Sequence, residues 1–570
     1  MSIPGWLSLF LAFHSALWWE QGRAQPVFAE GARQSGLDFQ YLNGMTGEFL
    51  LPEITGGGAA LIDFDRDGDL DVYLVQGAPT GSGRKKGATL FPWPGQSPPR
   101  DRLFRNQLQE TGQLRFVDVT EASGIRALGY GMGAAAGDVN NDGWTDIYVT
   151  NWGANQLWIN NGDGTFRDAT AASGCDDARW SSSAAFFDYD RDGWLDLYVA
   201  HYVDATAQNN RICYAKTSAR DYCGPDAYNP LPDRLFHNKG DGSFEDVSLQ
   251  SGIQREFGAG LGVVTADFNG DGWLDVYVAN DGDPNQLWIN QKDGTFSDEA
   301  LLAGAALNRE GKPEAGMGVD AADFDGDGDE DLFVTHLMEE TNTLYVNQGS
   351  GFFEDRTIEA GLHLPSLNYT GFGTGWFDYD NDGWMDLLSL NGAVRFLQER
   401  ARQGGPYPLG QPNQLFRNQG GTLFVDASAQ GGEVFLLAEV SRGAAFGDLD
   451  NDGDTDVVQV NSNGPVRLLL NQVGNRNHWV GLRLVHPAGR DHLGARVTVI
   501  RPGQRALQRR VRSDGSYCSS SDPRVLVGLG GQSGPVTVRV GWPDGQAETW
   551  QGIAADRYHK LEQGKGRAVK

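Results

Sequence analysis

Aspartates recur along this chain at a spacing suited to one task, the wrapping of a hard divalent cation by a tight loop. The pattern Asp-x-(Asp/Asn)-x-Asp-Gly-x-x-Asp occurs seven times, beginning at Asp63, Asp138, Asp188, Asp267, Asp323, Asp378 and Asp448. Calcium takes roughly six to eight oxygen ligands, and such a loop offers side chains at positions 1, 3 and 5, a backbone carbonyl at 7 and a carboxylate at 9. Those positions are Asp63, Asp65, Asp67, Asp69 and Asp71; Asp138, Asn140, Asp142, Trp144 and Asp146; Asp188, Asp190, Asp192, Trp194 and Asp196; Asp267, Asn269, Asp271, Trp273 and Asp275. The last three loops supply Asp323, Asp325, Asp327, Asp329 and Asp331; Asp378, Asp380, Asp382, Trp384 and Asp386; Asp448, Asp450, Asp452, Asp454 and Asp456. Position 6 is always glycine, where a sharp reversal favours a residue without Cβ. A lone copy could also be a solvated acidic turn; seven in register leave that reading little room. An EF-hand loop opens in the same way but needs a bidentate Glu at position 12 and flanking helices. Position 12 here is Leu74, Val149, Val199, Val278, Val334, Ser389 or Gln459, so the EF-hand is excluded.

The formal net charge of −29 argues against nucleic acid or an anionic membrane as partner, since both need a basic face. Of the 75 acidic residues, 26 stand at positions 1, 3, 5 and 9, so much of the charge is matched to the expected cations. Up to seven Ca2+ would bring −29 to −15. Residues 1–24 read as an export signal, with an apolar stretch from Trp6 to Trp19 and small residues before Gln25, although the stretch has no preceding Lys or Arg. A secreted or otherwise extracytoplasmic location follows, without membrane insertion after cleavage. It suits loops of modest calcium affinity. Of four cysteines, Cys213 and Cys223 flank a short step inside an insertion and are expected to pair; Cys175 and Cys518 are either a bridge or two free thiols.

The elements that hold these loops repeat with them. Successive loops start 75, 50, 79, 56, 55 and 70 residues apart, a period that points to a propeller or an array. Small residues lead into a first strand; the loop and a second strand follow; then come a Leu-aromatic-x-Asn element, such as Leu157-Trp158-Ile159-Asn160, and a Phe-x-Asp element, such as Phe166-Arg167-Asp168. Four short strands in each of seven units predict an all-β fold, a seven-bladed β-propeller over residues 25–471. The last unit lacks its own Phe-x-Asp, and the segment at Phe28 is expected to complete it, removing the open edge. The residues five after position 9 are Gln76, Asn151, His201, Asn280, His336, Asn391 and Asn461. They are read either as caps on local backbone groups or as a polar ligand face at the mouth of the channel.

With their small-residue lead-ins, these loops resemble FG-GAP/VCBS repeats, the propeller units of integrin α chains. Residues 472–570 resemble the ASPIC/UnbV domain, carried by Asn475-Arg476-Asn477-His478-Trp479-Val480, Gly494-Ala495-Arg496-Val497, Gly515-Ser516-Tyr517, Gly528-Leu529-Gly530 and Trp542-Pro543-Asp544-Gly545. Together they are similar to cartilage acidic proteins and their bacterial relatives. The resemblance implies an exported, calcium-binding, adhesive or matrix-interacting protein. Read from residues alone, the last hundred residues alternate in short runs that predict a small all-β domain, and Arg496, Arg509, Arg510 and Arg512 suit docking on the acidic propeller or binding an anionic glycan. A binding scaffold for a protein or glycan is the favoured function, and no enzyme is expected. The alternative is a propeller enzyme acting on extracellular glycans or alcohols through His201 and His336, with Arg442 near the channel; a third is a calcium-stiffened spacer with no ligand.

Overall fold

Each repeat becomes one four-stranded antiparallel sheet, and seven such sheets stand around an axis. The structure is a computed structural model describing residues 25–79, 99–215, 218–402, 404 and 407–569; the expected signal, residues 1–24, lies outside them. Blade 2 illustrates the plan, with strands Gly131–Gly137, Asp146–Asn151, Gln156–Asn160 and Phe166–Asp168 paired in chain order. The first strands meet their neighbours' first strands from blade to blade, and Ala59–Ile62 of blade 1 meets Ser441–Gly447 of blade 7. Crowding at the axis explains the small lead-in residues. A Cβ on Gly133 would approach atoms of Cys518 to 2.7–2.9 Å.

Blade 7 is closed by the chain's first described strand. Phe28–Glu30 pairs antiparallel with Arg467–Asn471, Phe28 opposite Asn471 and Glu30 opposite Leu469, as the missing Phe-x-Asp implied. Phe28 itself is buried against Phe377 and Phe435. In blade 3 the insertion between the second and third strands carries a two-stranded pair, Cys213–Tyr214 with Arg220–Asp221, and the disulfide joins Cys213 to Cys223. Cys175 and Cys518 are both buried free thiols, so no bridge links them.

Residues 478–568 form a three-stranded sheet and a five-stranded sheet. In the first, His478–Val485 runs antiparallel to Val525–Gly530 and parallel to Tyr558–Glu562. The apolar core of this domain, including Val480, Leu482, Val499, Val527 and Val538, is continuous with Tyr148, Phe186 and Leu195 of blades 2 and 3. The C-terminal domain therefore buries part of its apolar surface against the propeller.

Candidate metal centres

The seven acidic loops share one backbone geometry. Glycine at position 6 has φ between 89° and 105° (Gly68, Gly143, Gly193, Gly272, Gly328, Gly383, Gly453), the left-handed region that favours it. Position 4 is left-handed too, and there the chain uses Arg66, Asn141, Arg191, Asn381 and Asn451 as well as Gly270 and Gly326. That second reversal was not read from the sequence, although Asn, which tolerates it, and Gly hold five of the seven positions. Hydrogen bonds within the loop aim the carboxylates. Gly143 N–H donates to Asp138 at 2.7 Å, Trp144 N–H to Asp142 at 2.9 Å, and the other loops repeat the position 7 to position 5 bond.

Position 9 fastens each loop to its blade. Asp146 accepts the Val139 amide on one oxygen and the Asn160 amide on the other, at 3.0 and 2.8 Å. Asp71, Asp196, Asp275, Asp331, Asp386 and Asp456 do the same. The asparagine of the Leu-aromatic-x-Asn element then joins two blades. Asn160 Nδ2 donates to Phe64 O of blade 1 at 2.8 Å. Asn238 reaches Val139 O, Asn290 reaches Tyr189 O, Asn347 reaches Phe268 O, Asn418 reaches Phe324 O and Asn471 reaches Tyr379 O, each in the preceding blade. Asn106 of blade 1 closes the circle on Leu449 O of blade 7 at 2.9 Å. The motif was visible in the sequence; its task, a bond to the carbonyl at position 2 of the neighbouring loop, was not.

The residues present fit a cation. Asp63, Asp65 and Asp71 bring oxygens within 4.8 Å of one another, as do Asp188, Asp190 and Asp192, and Asp323, Asp325 and Asp331. One buried carboxylate oxygen is left with no hydrogen-bond donor on each of Asp65, Asp188, Asp267, Asp380, Asp450 and Asp454. Such oxygens cost free energy unless something positive meets them. Burial first, then repulsion from its neighbours, pushes Asp450 up to about 7; burial likewise pushes Asp138 up to about 6 and Asp378 up to about 8. At position 7 three of the four tryptophans turn their rings to arginines. Arg66 lies 5.2 Å from Trp144, Arg191 4.1 Å from Trp273, and Arg505 3.5 Å from Trp384.

The C-terminal domain sits on this loop face through arginines. Arg483 reaches Asp63 at 3.2 Å and Arg496 reaches Asp267 at 3.1 Å; Arg490 bonds Asn141 and Gly193 O; Arg524 bonds Asn451 and Asp448 O. Arg509 bonds Gly383 O, Arg510 bonds Thr265 O, and Arg512 pairs with Asp320. Of the two roles open to these arginines, docking is the one the structure displays.

Between Arg512 and Asp522 the domain sends a segment down the axis that touches all seven blades. Leu61, Ala134, Thr265, Val319 and Thr374 donate their amides to Ser520 O, Cys518 O, Asp514 Oδ2, Ser516 O and Ser516 Oγ. Ser183 Oγ accepts the Cys518 amide at 3.0 Å, and Asp522 N–H donates to Phe446 O at 2.9 Å. At the tip Tyr517, fully buried, donates to Thr55 O at 2.7 Å. Gly515, Ser516 and Cys518 have φ of 93°, 63° and 52°. The segment fills the channel that the sequence left open.

The residues expected to form a ligand face are closed off at the ends of the second strands. Gln76, Asn151, His201, Asn280, His336, Asn391 and Asn461 are all within 1% of complete burial. Asn151, Asn280, Asn391 and Asn461 donate to the carbonyls of Ala154, Pro284, Pro412 and Pro465, and Gln76 accepts the Leu42 amide. They cap turns at the ends of the second strands, so the local reading holds. His201 Nε2 lies 3.2 Å from Asp177 and 3.3 Å from Ser181, both on one ring nitrogen, whereas a hydrolytic triad places acid and nucleophile on opposite nitrogens. His336 Nδ1 lies 2.8 Å from Thr341 O. Arg442 is also closed off, bonding the carbonyls of Ile54, Gly392, Ser441 and Ala393 above the Phe372 ring, and burial pulls it down to about 10.

The class of protein this architecture defines agrees with direct comparison. The FG-GAP-like repeat matches residues 138–199, 223–278, 267–334 and 323–389, and the ASPIC and UnbV domain matches residues 486–568. The chain is an FG-GAP-repeat β-propeller with a C-terminal ASPIC/UnbV domain. It is similar to cartilage acidic protein 1 of Homo sapiens, 28% identical over 60% of this chain and 50% of that protein, and of Mus musculus, 26% identical over 60% and 51%. The chain thus spans about half the length of the curated relatives it matches. Among solved structures, the BP39L lectin of Burkholderia pseudomallei overlaps with a TM-score of 0.42 at 11% identity, covering 73% of this chain and 96% of that one.

Proposed function

We propose that the chain is an extracytoplasmic scaffold whose seven loops take calcium and whose outer surface binds a protein or glycan. The observation that carries this is the set of buried, donor-less carboxylate oxygens at ligand positions in five of the seven loops: Asp65, Asp188, Asp267, Asp380 and Asp450. Calcium, when bound, supplies the positive charge that relieves their crowding. The residues themselves do the positioning: the amides at positions 6 and 7 aim positions 1 and 5, position 9 anchors the loop, and Arg483 and Arg496 hold Asp63 and Asp267 from the far side. A Cys213–Cys223 disulfide supports an oxidising compartment. Among the described residues no helix is long and apolar enough to cross a membrane. Enzymatic use of His201 and His336 is disfavoured by their burial, which leaves no substrate access.

The test has two parts. Equilibrium dialysis with metal analysis is expected to find several bound calcium ions per chain, and a glycan or protein array is expected to give hits that fall away in EDTA. Absence of bound calcium would remove the metal reading; array hits indifferent to EDTA would separate binding from calcium.

A further inference from the structure

A cavity of about 480 Å3 lies between the propeller's loop face, chiefly at blades 1 to 3, and the C-terminal domain. That volume is in the range of small-molecule sites, which favour boundaries between domains. Its apolar wall comes from Leu61, Leu70 and Leu195 of the propeller and from Leu493 and Pro523 of the domain. Charged groups are set into the same wall, and their engagement differs by sign. Every wall carboxylate has a partner: Asp63 and Asp491 share Arg483, Asp138 accepts the amides of Asp142 and Gly143, and Asp522 holds Arg524.

Two wall cations are not matched in this way. Arg490, 2% exposed, directs three N–H groups at Asn141 Oδ1, Asp491 O and Gly193 O, none of them a carboxylate; Asp188, Asp138 and Asp491 act on its charge without bonding it, and a guanidinium has five donors. Lys560, exposed at the rim, makes no ion pair among the described residues. The spare donors of Arg490 and the ammonium of Lys560 therefore stand beside an apolar wall.

We propose that this cavity binds a small amphipathic anion, its carboxylate on Arg490 with Lys560 at the rim and its hydrocarbon against Leu61, Leu195 and Leu493. The site adjoins the first two acidic loops, whose Asp63 and Asp138 line its wall, and is not the propeller channel, which the segment around Tyr517 fills.

Calorimetric titration of octanoate, octan-1-ol and octylammonium into the full chain in calcium buffer tests it. Octanoate is expected to bind at least about tenfold more tightly than octylammonium, about 1.4 kcal/mol. Arg490→Gln is expected to weaken octanoate by about tenfold or more and octan-1-ol by less than about twofold. Leu195→Trp, which fills the cavity, should abolish both; if its melting transition is lost, Leu493→Phe fills from the domain side and decides. Equal affinity for the three probes, octanoate binding indifferent to Arg490→Gln and to filling, or no octanoate binding at millimolar concentration would overturn the proposal.

Discussion

Replacing Asn106 with alanine should cut the ring where its two ends meet. The side chain donates to Leu449 O at 2.9 Å and to Leu70 O at 3.2 Å, and accepts the Leu108 amide at 3.2 Å. Its backbone amide bond to Asp71 survives the change. Asn106 is wholly buried, so no water replaces what is lost. Three hydrogen bonds at about 1 kcal/mol each, plus about 1–2 kcal/mol for carbonyls left bare in the interior, give a loss of about 4–5 kcal/mol. In a chain this long such a loss moves a melting temperature by only a few degrees, so the urea midpoint in calcium is the better measure. Asn161→Ala, which removes one exposed bond to Thr165, is the control and should shift the midpoint by less than a quarter as much. A loss from Asn106→Ala no larger than the control's would refute the idea that these asparagines bind blade to blade.

Other consequences can be checked alongside. In EDTA the buried carboxyls of Asp378 and Asp450 hold protons more tightly when folded than when unfolded, pushed up by burial to about 8 and about 7 against an ordinary value near 4. Their contribution is full at low pH and lost as pH rises through 7–8, so the metal-free midpoint should climb as pH is lowered from about 8 to 5. With calcium saturating, the trend should invert, because protons and the cation compete; parallel profiles would count against metal ligation. Gly58→Ala would place a Cβ 1.8 Å from Cys518 O, a backbone atom that cannot yield, and should dislodge the axial segment. The readout, in a Cys175→Ser background, is labelling of the Cys518 thiol by Ellman's reagent in native buffer; a thiol still inert in a stable variant would contradict the close fit. Arg442→Met should lower stability by about 3–5 kcal/mol, because it strips four carbonyls of their donor; an unchanged urea midpoint would show those bonds to be dispensable.

What the sequence disclosed was what repeats. Each loop-and-strand cassette carries its own turn residues, so the blades and the closing role of Phe28 were legible from spacing alone. Pairing of Cys213 with Cys223 was legible for a similar reason, both lying in one short insertion. The bonds between blades and the axial segment join residues hundreds of positions apart, as Ser520 does with Ala59, and nothing local marks them. Gln76, Asn151 and their equivalents were ambiguous because a polar residue ending a strand looks the same whether it faces a ligand or a turn. Burial decided for the turn.

The pairing of Phe28 with Asn471 also sets an order of events for a growing chain. The strand at Phe28 has its partner among residues made more than four hundred positions later, and Tyr517 follows later still. Until that stretch emerges, blade 7 has three strands and the hub stays hollow. The ring therefore remains unsealed until that stretch is made, and any helper that shields nascent sheet edges would have most to do here before the final turn of the ring.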